Sequence, residues 1–225
     1  MAVGEGIDRG HYGRARAAAE IVFVIACVVF AEWAAIPLFG RRKVIGVVCM
    51  AVVFGFGCLS QRFRRESARD IGFGLQNFGR ALLLLLFWMI PAAAVLLAIG
   101  WALGSLHLFR TGSWGTLVLT ESWLLLWGLM QQYALQAILN RRFQELWGKG
   151  AKSILAVALV FSALHLPNLP LTAVTLTGGL IWAWAYQKAP NLLALGLSHN
   201  LMTIVLASSI SQVALHGLRV GYNYF

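Results

Sequence analysis

Carboxylates are the scarcest functional groups in this chain. Of 225 residues only 8 are Asp or Glu, against 18 Lys and Arg, and all charged residues together make up 12%. A soluble domain carries about 25% charged residues, so the shortfall argues against a water-soluble globule. Cysteine is as sparse. Cys27, Cys49 and Cys58 form no disulfide framework and lack the spacing of a CxxC metal site; each falls in an apolar run and reads as a packing residue. Linkers, low-complexity tracts and internal repeats are missing too. No basic patch interleaved with stacking aromatics sits on a soluble module, so the net charge of +10 does not call for nucleic acid as a partner.

What the chain has is long uncharged runs. Hydrophobic residues make up 60% and mean hydropathy is +0.75. A spanning helix needs roughly 20 apolar residues. Seven stretches qualify, at about Glu20–Phe39, Val44–Ser60, Ala81–Gly104, Thr116–Leu139, Ser153–Leu166, Leu171–Gln187 and Asn191–Ile210. The fifth is short enough to be partly re-entrant. The expectation is an all-α polytopic bundle forming one integral membrane domain over 1–225, with a cytoplasmic tail over 1–19. The start, "GRARAAAEIVFVIACVVFAEWAA", has the basic and apolar parts of a signal peptide. Its apolar run continues to Phe39 and meets Arg41, Arg42 and Lys43, as a retained first helix would.

Charge sets the orientation. With loops alternating from the N-terminus, one side holds 13 Lys and Arg, among them Arg62, Arg64, Arg65, Arg69, Arg80, Arg141 and Arg142. The other side holds Arg41, Arg42, Lys43, Arg110 and Arg219. The positive-inside rule puts the first side in the cytoplasm, the N-terminus inside and the C-terminus outside. The expected location is a bacterial inner (plasma) membrane, crossed several times. In the basic stretch Gln61–Arg80, Ile71, Leu75 and Phe78 have helical spacing; it reads either as an amphipathic segment on the inner leaflet or as an ordinary loop.

Strongly polar groups lie deep in three runs. From the nearest basic residue at the cytoplasmic end, at a rise of about 1.5 Å per residue, Gln131 is ~15 Å deep, Gln132 ~14 Å, His165 ~20 Å and His199 ~17 Å. Polar groups in lipid are costly and point to a site, or else to hydrogen-bond glue between helices. Glu32, ~18 Å into the first run, is level with them.

The three stretches "QQYALQ", "FSALH" and "HNLMT" resemble a degenerate form of the CPBP intramembrane proteases, the type II CAAX prenyl endopeptidases and bacteriocin-processing enzymes. The family pattern is Glu-Glu-x-x-x-Arg, then Phe-x-x-x-His, then His followed four residues on by Asn or Asp. Here the likeness covers about Thr116–Thr203, within a motif-bearing core of 116–210. Phe161 and His165 match; His199 matches but is followed by Thr203; Asn200, next to it, points about 100° away. Gln131 and Gln132 stand at the paired glutamates and Gln136 at the arginine. The resemblance implies a hydrolase in which a glutamate activates water while histidines and the Asn stabilise the oxyanion. A carboxamide cannot accept that proton. An arginine at 136 beside neutral amides would be an unpaired buried charge, so the three glutamines read as one coupled replacement.

The leading reading is an endopeptidase of this kind, cutting membrane-associated or lipidated peptides in a mid-membrane cavity, with Glu32 or a histidine as base. The alternative is a pseudoprotease that binds membrane segments without cutting them; a small transporter is a third. The expected partners are the bilayer and a membrane-embedded or lipidated peptide. No cofactor and no metal are expected, since a catalytic zinc site uses three protein ligands and the family chemistry is metal-independent.

Overall fold

The computed structural model describes residues 3–40, 42–107 and 114–225, and every regular element among them is helical. Helix α1 (Val3–Phe30) passes through a π-helical turn (Ala31–Ala35) into α2 (Ile36–Phe39). Then come α3 (Arg42–Phe63), α4 (Phe78–Ala102) and α5 (Trp114–Gln132). A second π-helical segment (Tyr133–Asn140) continues α5 into α6 (Arg141–Trp147). The chain closes with α7 (Ala151–Ala163), α8 (Leu169–Lys188), α9 (Leu192–Ser209) and two 3₁₀ turns. All seven apolar stretches are helical. Among the described residues, five helices are long and apolar enough to cross a membrane. Large apolar side chains such as Leu83, Phe87 and Ile90 of α4 are exposed, which in lipid is their preferred state. The chain is an integral, multi-pass membrane protein.

The π-helical segment is the axis of the bundle. Residues 132 to 140 are buried without a break, and the segment packs against α1, α3, α7, α8 and α9. Close approach of α5 and α9 depends on small residues, as is usual between helices in lipid. A Cβ on Gly196 would lie 3.2 Å from the Leu129 Cα, and one on Gly128 would lie 3.5 Å from the His199 ring. Asn168 and Asn191 cap the N-termini of α8 and α9, accepting from the Leu171 and Ala194 amides.

Helix α7 has 13 residues, about 20 Å of rise against a hydrocarbon core of about 30 Å. The segment after α9 is bonded to the turn that follows α7. Asn168 Nδ2 donates to the carbonyls of Leu215 (2.8 Å) and Arg219 (3.0 Å), and the Gly221 amide donates to the Leu166 carbonyl at 2.9 Å. Irregular backbone at this depth needs such internal partners. Gly221 takes φ +58°, and a Cβ there would meet the Glu32 Cβ at 2.8 Å.

Three features differ from the sequence reading. Helix α1 starts at Val3, so Glu20 marks no structural break between a tail and a span. Residues 64–77 form turns rather than an amphipathic helix. Ile71 is buried and Leu75 is 78% exposed, because the loop is tied to the α8–α9 junction: Tyr186 Oη donates to the Ile71 carbonyl, the Leu192 amide to that of Gly72, and Asn191 Nδ2 to those of Gly74 and Gln76. The folded segment after Ile210 was not foreseen. Arg41 and Arg110, counted above on the weakly basic side, lie outside the described residues.

The basic end of the bundle is held by ion pairs. The Arg142 side chain is fully buried and reaches Glu20, Glu66 and Glu145 at once, while Arg64 bridges Glu20 and Glu145 and Arg141 pairs with Glu66. Burial would raise the Glu66 carboxyl, but hydrogen bonds from Arg142 and Arg141 outweigh it and hold the group below the ordinary carboxylate value.

Candidate functional site

Helices α5 and α9 are linked by a side-chain hydrogen bond. Gln132 Nε2 lies 3.0 Å from His199 Nδ1. The His199 ring is stacked on Trp182 of α8, with centroids 4.6 Å apart and planes at 6°. Phe161 of α7 stands between the two histidines, edge-on to His165 at 4.7 Å and to His199 at 6.0 Å. His165 Nδ1 is 2.7 Å from the Phe161 carbonyl. A carbonyl only accepts, so Nδ1 carries a proton, and the neutral ring presents the Nε2 lone pair. The four residues Gln132, Phe161, His165 and His199, named from three separate stretches, are thus in one cluster.

The cluster has a buried half and an accessible half. Gln132 and Gln136 have no exposed surface, and Phe161 is 3% exposed. Gln131, His165, His199 and Thr203 are each half-buried. These four are the partly exposed members of the set named from the sequence. Two open surface pockets, one lined by Gln212, His216 and Arg219 and the other by Arg141, Glu145 and Lys149, include none of the cluster's residues.

The other sequence-derived positions fall as follows. Gln136 donates to Gln132 Oε1 at 3.3 Å, so its partner is Gln132 and not Gln131. The Gln131 Oε1 is buried and has no hydrogen-bond partner among the described residues. Thr203 spends its hydroxyl on the His199 carbonyl of its own helix. Asn200 is 8% exposed, and its Oδ1 has no hydrogen-bond partner among the described residues. Glu32 lies in the first π-helical turn against Gly221. That glycine bonds to Leu166, next to His165, so Glu32 is near the α7 end of the site. Among the described residues no group of three or more His, Cys, Asp or Glu is placed to hold a metal ion.

Sequence reading missed the rest of the polar network. Asn140 Nδ2 donates to Gln136 Oε1 (2.8 Å) and to the Ala183 carbonyl (3.2 Å). Its Oδ1 accepts from Gln144 and Gln187, and Gln187 in turn reaches Ser153 and the Gly150 amide. A signal was present: residues 132, 136, 140 and 144 are all carboxamides at intervals of four, the spacing of neighbours on one helix face. Trp182, the stacking partner of His199, carried none.

With this arrangement in hand, residues 113–205 match the family model described as type II CAAX prenyl endopeptidase Rce1-like. No curated protein and no solved structure matches the chain at a significant level. The matched segment holds α5, α7, α8 and nearly all of α9, and with them every residue of the cluster. Over residues 113–205, therefore, the chain is similar to the Rce1-like family, in the same part of the sequence that holds its three motifs.

Proposed function

We propose that this protein engages a peptide held at the membrane, by a span or by an attached lipid, on the rim formed by Gln131, His165, His199 and Thr203, and that as it stands it does so without hydrolysis. The observation that carries this reading is the Gln132–His199 bond. Where the resembling family has a carboxylate that can take a proton from water, this chain has a carboxamide already donating to an imidazole. Gln131, the other candidate for the base, is equally unable to accept a proton. The rim still offers hydrogen-bonding groups to a peptide backbone: two half-buried imidazoles.

A second reading, hydrolysis with a displaced base, is favoured by one observation. The Nδ1 proton of His165 is held by the Phe161 carbonyl, which leaves its Nε2 free to act as a base, and Glu32 packs against Gly221, whose amide bonds to the neighbouring Leu166.

The test is photocrosslinking. A diazirine-bearing farnesylated peptide or membrane-spanning peptide is incubated with the full-length protein in nanodiscs, crosslinked and mapped by mass spectrometry. Competable labelling on α5, α7 and α9 around Gln131, His165 and Thr203 is expected. Labelling confined to lipid-facing residues such as Leu83 and Phe87, and indifferent to unlabelled competitor, would overturn the reading.

A further inference from the structure

Each carboxamide in the buried network is oriented by its neighbour, and the orientation can be followed to its ends. At one end the Ala183 carbonyl can only accept, so the group of Asn140 that faces it at 3.2 Å is the NH₂. At another end the Gly150 amide can only donate, so Gln187 turns its Oε1 towards it (2.8 Å) and its NH₂ towards Asn140. Two backbone groups on different elements thus require the same placement of Asn140: nitrogen towards Ala183 and Gln136, oxygen towards Gln187 and Gln144. Both donors and both acceptor sites of Asn140 are used.

From Asn140 the direction propagates along the helix. Asn140 Nδ2 donates to Gln136 Oε1, which leaves Gln136 Nε2 to donate to Gln132 Oε1, which leaves Gln132 Nε2 to face His199 Nδ1 at 3.0 Å. An amide nitrogen has no acceptor capacity, so His199 Nδ1 must supply the lone pair. We propose that the ladder Gln132–Gln136–Asn140, pinned by the Ala183 carbonyl and the Gly150–Gln187 contact, is a tautomer clamp that holds neutral His199 as the Nε2–H form.

The consequence is chemical. His165, with its Nδ1 proton on the Phe161 carbonyl, offers an Nε2 lone pair. His199 offers an Nε2–H. The two imidazoles beside Phe161 are therefore a matched acceptor and donor, set by different devices: a backbone carbonyl for one and a side-chain ladder more than two turns long for the other. Which ring nitrogen carries the proton is fixed by the hydrogen bond made at the other nitrogen. An ionised glutamate at 132 could only accept and would demand the opposite tautomer of His199. The glutamine therefore inverts the role of that histidine as well as removing a base. Gln132, Gln136 and Asn140 act as positioning residues for His199, and the inference holds whether or not the rim cuts a peptide.

The experiment is nitrogen-15 NMR of the full-length protein in detergent or nanodiscs, with labelled histidine, at about pH 8, where an ordinary imidazole of pKa about 6.5 is neutral. His165 and His199 are assigned by single substitution to Phe. Wild-type His199 is expected to show a pyridine-type Nδ1 and a pyrrole-type Nε2, and His165 the reverse. Asn140→Leu frees Gln136 to turn round, and Gln132→Met removes the donor. In either variant His199 should lose its single tautomer and show averaged nitrogen shifts, while the His165 signals stay in place and report an intact fold. If Asn140→Leu does not fold, Gln132→Met, which preserves length and burial, carries the test. A protonated Nδ1 on wild-type His199, or a His199 tautomer unchanged in Gln132→Met, would overturn the proposal.

Discussion

Gln136 donates to Gln132 Oε1 at 3.3 Å, at the two positions where the resembling motif pairs an arginine with a glutamate. In this chain the two positions hold an amide pair. Both side chains are fully buried, and the pair hands its hydrogen-bond direction on to His199.

Cutting the ladder in its middle should cost more than cutting it at its end. Asn140→Leu orphans Gln136 Oε1 and donors on Gln144 and Gln187, and takes a second donor from the Ala183 carbonyl. Each unsatisfied buried group costs about 1–3 kcal/mol. Gln144 is half-buried and makes one of these bonds. Thermal unfolding in detergent should show a large Tm loss for Asn140→Leu and a small one for Gln144→Ala. Equal losses would mean that the network is not a unit.

Arg142→Ala should be the most damaging single change at the basic end. It leaves Glu20 and Glu66 facing each other without their shared cation, and breaking a buried pair costs about 3–5 kcal/mol. Arg142→Lys should rescue only part of this, because one ammonium cannot reach three carboxylates in a fixed fork. Folded yield and Tm by fluorescence-detected size exclusion are the measurements.

The same cluster gives a pH dependence. The folded-state Glu66 carboxyl is held below its ordinary value despite burial, so the folded protein binds its proton less readily than the unfolded chain does. The stability this contributes is present above the ordinary glutamate range, near about pH 4.3, and is lost as the pH falls through the lower folded value. Tm measured downward from neutral pH should fall steeply in acid for wild type, and Glu66→Gln, already destabilised, should show a shallower acid slope. Parallel slopes would remove Glu66 from the explanation.

The charge asymmetry and seven helical stretches lead to a topology in which a reporter at the N-terminus reads as cytoplasmic and one after Phe225 as extracytoplasmic. Both ends on one side would mean that one stretch does not cross. The 13-residue α7 is the first to suspect.

The spans and the core of the site were legible in the sequence for a physical reason. Lipid demands long apolar runs, so Gln132, His165 and His199 stood out against their surroundings. The ladder was less visible because Asn140 and Gln144 sit where the helix nears its basic end and polar residues are unremarkable. Gln187, which locks the orientation of Asn140, comes from another helix and has no local signature. The π-helical geometry of Tyr133–Asn140 leaves no composition signal. The same is true of the segment after Ile210, whose bonds to Asn168 and Leu166 depend on α7 being short. Glu32 was singled out by depth alone, and depth does not say which way a side chain points.

The central claim is that position 131/132 lacks a proton acceptor and that this is what keeps the rim from cutting. It is tested most directly by mass spectrometry of lipidated and membrane-spanning peptides after incubation with excess full-length protein in nanodiscs. Wild type is compared with the triple variant Gln131→Glu, Gln132→Glu, Gln136→Arg, in which the arginine meets residue 132. A positioned base contributes about 10²–10⁴-fold. The account predicts intact peptide with wild type and cleaved peptide with the triple variant, with cleavage lost again on adding His165→Ala. Cleavage by wild type that disappears in His165→Ala or Glu32→Gln would contradict it and establish a displaced base.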